Sequence, residues 1–245
     1  MRHLQSALLA AVAAFGFGSI ASAADMPVKA RPMMTPVYNW TGCYVGAGGG
    51  YGMFNVDNQT VTDPGGVVLD HGTFGGRGFF GTGQVGCDYQ FLPKWVAGAF
   101  ADFDFGSLKG NVSSLTFSGE AKERSSWAAG ARAGYLPWDT LLTFVSAGFT
   151  QLRSAQIDLN VGGVPTPFSS PASTFGGWFL GSGYEYKLDW LPGLTWKTEY
   201  RFADYGNKNI PIVVTATGAP VGIATNSHLY VQTIRTELVY RFNWH

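Results

Sequence analysis

What this chain of 245 residues has little of narrows it first. Charged side chains make up 13% of it, against about 25% in an average soluble domain. Lysine plus arginine and aspartate plus glutamate balance at 16 each. Neither sign therefore offers a large field for nucleic acid or an anionic surface. Cysteine occurs twice, which excludes a disulfide-scaffolded miniprotein and a multi-cysteine metal cluster. After the N-terminal leader there is no run of 18 apolar residues, so no transmembrane helix is available. What the chain does have is 46% hydrophobic residues, 15% aromatics and 34 glycines.

The leader reads as an export signal. Arg2 and His3 form a short basic region, residues 8–17 an apolar one, and Ala21-Ser22-Ala23 a small-residue cleavage site. Residues 1–23 are expected to be removed, leaving Ala24 first. Residues 24–39 hold Pro27, Pro32 and Pro36 with Lys29 and Arg31. Proline removes backbone donors and favours extended, solvated chain, so this stretch reads as a periplasmic linker before a membrane domain at 40–245.

From Trp40 onward the chain alternates with a period of two, the signature of strands. Residues 227–242 show it most clearly. Tyr230, Ile234, Leu238, Tyr240 and Phe242 share one face, while Arg235, Glu237 and Arg241 share the other. Trp95, Ala97, Ala99, Ala101, Phe103 and Phe105 likewise oppose Asp102 and Asp104. The segment near 122–136 sets Trp127 and Tyr135 against Lys122, Arg124 and Arg132, and the segments near 178–188 and 194–204 behave alike. A segment at 141–158 alternates poorly. A tilted strand needs roughly 9–11 residues to cross a bilayer; each segment reaches that length, and 227–242 exceeds it.

Short proline turns at Leu92-Pro93-Lys94, Leu136-Pro137-Trp138-Asp139 and Leu191-Pro192-Gly193 alternate with long polar stretches near 56–73, 107–120, 159–174 and 207–226. That is the turn-and-loop asymmetry of outer-membrane barrels. The fold expected is all-β: an eight-stranded antiparallel up-and-down transmembrane β-barrel, both ends periplasmic. An open edge in hydrocarbon leaves unpaired backbone groups, so first and last strands must pair. At eight strands the interior is just wide enough for side chains to fill. The inward set is expected to comprise Asp88, Asp102, Asp104, Arg132, Glu185, Lys187, Lys197, Glu199, Arg201, Arg235, Glu237 and Arg241. With both signs mixed, these charges can pair in a mostly plugged lumen. Trp40, Trp95, Trp138, Trp190 and Trp196 fall near strand starts or short turns and read as an interfacial girdle.

Pro36-Val37-Tyr38-Asn39-Trp40-Thr41-Gly42-Cys43-Tyr44-Val45-Gly46, Gly83-Gln84-Val85-Gly86-Cys87-Asp88-Tyr89-Gln90 and Thr198-Glu199-Tyr200-Arg201-Phe202-Ala203-Asp204-Tyr205-Gly206 together resemble the small alphaproteobacterial outer-membrane immunogenic, or porin family, proteins with an opacity-type barrel. The ending Leu238-Val239-Tyr240-Arg241-Phe242 is similar to the C-terminal assembly signal of such barrels, carried here by Leu238, Tyr240 and Phe242. It departs from the usual form because Asn243-Trp244-His245 follow. The resemblance implies a cell outer membrane protein of a Gram-negative envelope, inserted by the barrel-assembly machinery among outer-membrane lipid and lipopolysaccharide. It implies a structural and surface role. The alternatives are a narrow small-solute porin and an adhesin or haem receptor using the loops, with the extracellular ligand unidentified.

Local constellations add little chemistry. Cys43 and Cys87 lie on neighbouring strands in an oxidising compartment, and both a disulfide and two inert lipid-facing thiols fit. His71 and His228 are weak grounds for a metal or haem site, and no cofactor is expected. Ser227 and His228 are adjacent in a strand and point to opposite faces, so they cannot form a nucleophile–base couple. The chain does not read as an enzyme.

Overall fold

The computed structural model describes residues 38–114 and 117–242. The expected leader at 1–23, nearly all of the linker at 24–39, and Asn243-Trp244-His245 lie outside these. The described chain is all antiparallel strand: β1 (Gly42–Thr62), β2 (Val68–Leu92), β3 (Trp95–Ser114), β4 (Phe117–Trp138), β5 (Leu141–Ser154), β6 (Ile157–Val161), β7 (Val164–Ser170), β8 (Ser173–Lys187), β9 (Leu194–Val214) and β10 (Pro220–Phe242). Eight of these form a ring in the order β1-β2-β3-β4-β5-β8-β9-β10. β10 returns to β1 in register from Cys43↔Phe242 to Thr62↔Ile223, which pairs the two edges an open sheet would expose.

Two expectations need correcting. The stretches near 56–73, 107–120 and 207–226 are mostly strand, because β1, β3, β9 and their partners run far past the length a bilayer requires. Their side chains alternate despite their polarity: Val56, Asn58 and Thr60 are buried while Asp57 and Asn55 are exposed. The stretch near 159–174 also holds the hairpin β6–β7, which leans on β4 and β9. Ten strands are therefore present among the described residues, with eight in the ring. The weak alternation of 141–158 has a plain cause. Leu142, Phe144 and Leu152 point inward while Val145 and Phe149 point outward, so both faces of β5 are apolar.

The three short turns connect strands at one end, called proximal below. In the third, Gly193 takes φ +82°, a left-handed conformation that glycine adopts without a Cβ clash, and its carbonyl accepts a hydrogen bond from Arg241 N at 2.8 Å. Outside the ring, large apolar side chains are exposed in a continuous band that includes Val45, Val85, Val145, Leu180, Ile234 and Leu238. Aromatics edge it on both sides: Tyr89, Trp95, Tyr135, Trp196 and Tyr240 proximally, and Phe79, Phe105, Trp127, Phe149 and Trp178 distally. Phe79 and Tyr89 are ten residues apart on β2. At about 3.3 Å per residue and a tilt of roughly 40°, that spans about 25 Å, the height of a barrel's lipid-facing band.

Candidate functional site

Inside the ring, the charges opposite this band meet in two layers. The proximal layer is a closed loop of alternating sign. Arg132 from β4 donates Nε to Asp88 Oδ1 at 2.9 Å and faces Glu185 Oε2 at 3.0 Å. Arg241 from β10 closes the circuit, reaching Asp88 Oδ2 at 2.7 Å and Glu185 Oε1 at 3.1 Å. Thr195 Oγ1 donates a further hydrogen bond to Glu185 at 2.7 Å. Four strands thus contribute one charge each, and the loop is neutral with all four ionised.

The second layer is centred on β9, where Lys197, Glu199 and Arg201 share one face. Lys197 Nζ contacts Glu199 at 3.0 Å, Glu237 at 3.6 Å and Gln84 Oε1 at 2.8 Å. Arg201 pairs with Asp102 at 2.7 Å. Arg235 reaches Asp102 at 3.3 Å and Asp104 at 2.9 Å. Aromatic faces fill the gaps: Arg201 lies 4.2 Å from the Phe179 ring centroid, and Arg132 lies 4.7 Å from that of Tyr44. Such stacking gives a desolvated cation a partner other than water. Lys197, Glu185 and Glu199 are at most 1% exposed.

The structure brings eleven of the twelve sequence-proposed lumen residues into these two layers. Lys187 stands apart at the proximal rim, paired with Asp189 at 3.5 Å. The inward set expected from the sequence does not include Gln84, Ser146 or Thr195. Ser146 donates to Glu199 at 2.7 Å. Gln84 shares the parity of Asp88, and Thr195 that of Lys197, so parity could have found both. Ser146 lay hidden in the poorly alternating segment. Trp40 is a correction of a different kind. It is not part of a lipid-facing girdle but fully buried, capping the proximal mouth with Val96, Leu136 and Leu142. Its Nε1 donates to the Asp139 carbonyl at 3.2 Å, and its own carbonyl accepts from Arg241 at 2.8 Å.

Lys122 and Arg124 were grouped with Arg132 on one face, and here bulges decide otherwise. Register shifts between Phe105 and Leu108 and between Glu123 and Ser125 reverse the facing of β4 beyond Ser125. Lys122 points out to Glu120 Oε1 at 3.4 Å, and Glu123 turns in. Cys43 and Cys87 are directly opposed across β1 and β2 and joined by a disulfide. Ser227 and His228 do diverge. Ser227 donates inward to Asn58 at 2.9 Å, while His228 Nε2 contacts Asp204 Oδ1 at 2.8 Å on the other face. His71 contacts Gln59 at 2.7 Å. Leu238, Tyr240 and Phe242 project from the outer face of β10.

Comparison with known proteins agrees with this architecture. The family described as outer membrane protein beta-barrel domain matches residues 8–242. A 31 kDa outer-membrane immunogenic protein of Brucella melitensis is 30% identical, the alignment covering 98% of this chain and all of the relative. A 25 kDa outer-membrane immunogenic protein of Brucella abortus is 28% identical over 99% of this chain and all of its own length. Among solved structures, the outer-membrane protein OprG of Pseudomonas aeruginosa superposes with a TM-score of 0.50 at 12% identity, covering 83% of this chain and 98% of OprG.

Proposed function

Because the chain belongs to the outer membrane protein beta-barrel domain family, we propose that it is a closed structural barrel of the Gram-negative outer membrane. In this reading it is a non-conducting, non-catalytic wall element that supports the envelope and presents its distal end at the cell surface. One observation carries this: the bore is spanned at two levels by buried ion pairs, with Trp40 seated across the proximal mouth. Breaking a buried pair by removing one partner leaves a charge uncompensated and costs about 3–5 kcal/mol, so the layers resist transient opening. The purified barrel in planar bilayers should give no unitary conductance. Regular current steps from the wild-type protein would overturn this reading in favour of a narrow small-solute porin.

Export through a cleaved leader and insertion by the assembly machinery through Leu238, Tyr240 and Phe242 belong to the same reading. The mass of the mature protein checks the first, with cleavage before Ala24 expected.

A specific observation favours lipopolysaccharide as a partner on the outer wall. Just distal to the aromatic row, Arg77 opposes Lys109, which in turn opposes Lys122. Like charges directly opposite are destabilising, and one carboxylate, Glu120, serves both lysines at 3.8 and 3.4 Å. A phosphorylated glycolipid headgroup at that height would relieve the repulsion. Lipid A bearing its phosphates should raise the melting temperature of the purified barrel more than dephosphorylated lipid A does. Lys109→Glu with Lys122→Glu should remove the difference, and equal shifts with both lipids in the wild type would exclude the phosphate contact.

A further inference from the structure

The distal lumen differs in kind from the proximal one. It stands beyond the lipid-facing band, yet most of its inward side chains are apolar. Between them lies a cavity of about 90 Å³, lined chiefly by Phe54, Phe74, Leu152, Phe175, Ile210 and Leu229. Protein interiors are normally close-packed, and the walls of an unfilled void forgo dispersion contacts.

The wall also carries polar side chains, among them Asn58 and Ser227, which hydrogen-bond to each other, but one buried oxygen stands apart. Glu123 lines the same cavity, and its Oε1 is buried without a hydrogen-bond partner. It lies four residues beyond Trp127 on β4, about 10 Å further from the lipid band along the barrel axis. The adjacent Lys122 also borders the cavity, but its Nζ turns away to Glu120 at 3.4 Å and offers Glu123 no counter-charge. Desolvation alone pushes the Glu123 carboxyl up to about 8, so at neutral pH it is mostly uncharged. A buried acceptor without a donor is expensive, and the fold does not need one there. The bulge between Glu123 and Ser125 is what turns it inward.

We propose that this cavity binds a small neutral amphiphile, whose alkyl or aryl body fills the apolar space and whose hydroxyl or amide head donates a hydrogen bond to Glu123 Oε1. The cavity is smaller than the roughly 150 Å³ apolar one that takes up benzene, which limits the occupant to a short body. An uncharged carboxyl favours an uncharged head over an ammonium or a carboxylate. This site lies outside the charged layers and does not depend on whether the lumen conducts.

The isoleucines make the test internal. Ile157, Ile210 and Ile212 line the cavity, while Ile234 is 54% exposed on the lipid-facing wall. The full-length protein, methyl-labelled at isoleucine and held in lipid nanodiscs, is titrated with 1-hexanol and followed by NMR. The expected result is saturable shifts at Ile157, Ile210 and Ile212, with only a linear drift at Ile234 from partitioning into lipid. Glu123→Leu should weaken hexanol binding about tenfold while leaving benzene binding unchanged or tighter, and Leu229→Trp should abolish both by filling the space. Shifts at the cavity methyls that merely track Ile234 would overturn the site. Undiminished hexanol affinity in Glu123→Leu would overturn the role of the carboxyl. Both variants are first checked for heat-modifiable mobility, and a variant that fails is replaced by Glu123→Met or Leu229→Phe. Conductance by the wild-type barrel would refute the closed-lumen reading without changing any of these outcomes.

Discussion

Gly98 positions the proximal ion loop by what it lacks. A Cβ there would collide with the Asp88 carboxylate, the group that pairs with both Arg132 and Arg241. Gly98→Ala should therefore displace that carboxylate and lower stability by a few kcal/mol, measured by urea unfolding in lipid vesicles. Glu185→Ala should lower it by about 3–5 kcal/mol, because Arg132 and Arg241 lose a shared partner in a dry interior. Glu123 supplies the opposite sign of effect. Its carboxyl is raised from 4.5 to about 8 by burial. The folded state therefore holds a proton that the unfolded state releases between those values. Stability should fall as pH rises from about 4.5 to 8, and Glu123→Gln should flatten that part of the profile.

At the scale of elements, the ring and its attachments separate. The hairpin β6–β7 contacts β4 and β9 only through short ladders, while β5 pairs with β8 along its whole length. Replacing 157–170 by a short glycine-serine turn should leave a folded barrel and remove the hexanol response, since Ile157 and Leu159 leave the cavity wall. The disulfide between β1 and β2 joins residues 44 apart in sequence. Their strands are already hydrogen-bonded around it, so its main effect falls on the unfolded chain, worth about 2–4 kcal/mol. Cys43→Ser with Cys87→Ser should lower the unfolding free energy measured in urea by that amount without loss of membrane insertion.

For the whole molecule, closure is the governing fact. In hydrocarbon every strand edge must be paired, and the β1–β10 ladder is what closes the ring. The outer-membrane form should migrate differently on denaturing gels with and without boiling. Deleting the chain from Leu238 onward removes the proximal end of that ladder and should abolish both the shift and membrane insertion. An unshifted wild-type band released by carbonate would contradict the membrane assignment altogether.

Parity, turn chemistry and low charge made the ring strands, the three proximal turns and most of the lumen charges legible in the sequence, because a strand's period of two assigns each side chain to a face without reference to its neighbours. What the sequence could not settle is everything that depends on a second strand. The bulges that turned Glu123 in and Lys122 out arise where two ladders shift register. The distal strands look like polar loops until their backbones are paired. Trp40 shares the chemistry of a girdle residue, and only the barrel mouth, with Asp139 and Arg241 at hydrogen-bonding distance, decides that it is a plug. The largely apolar cavity likewise exists only where side chains from all ten strands converge. Local periodicity determined which side of the wall each residue faces, and tertiary register decided what it meets there.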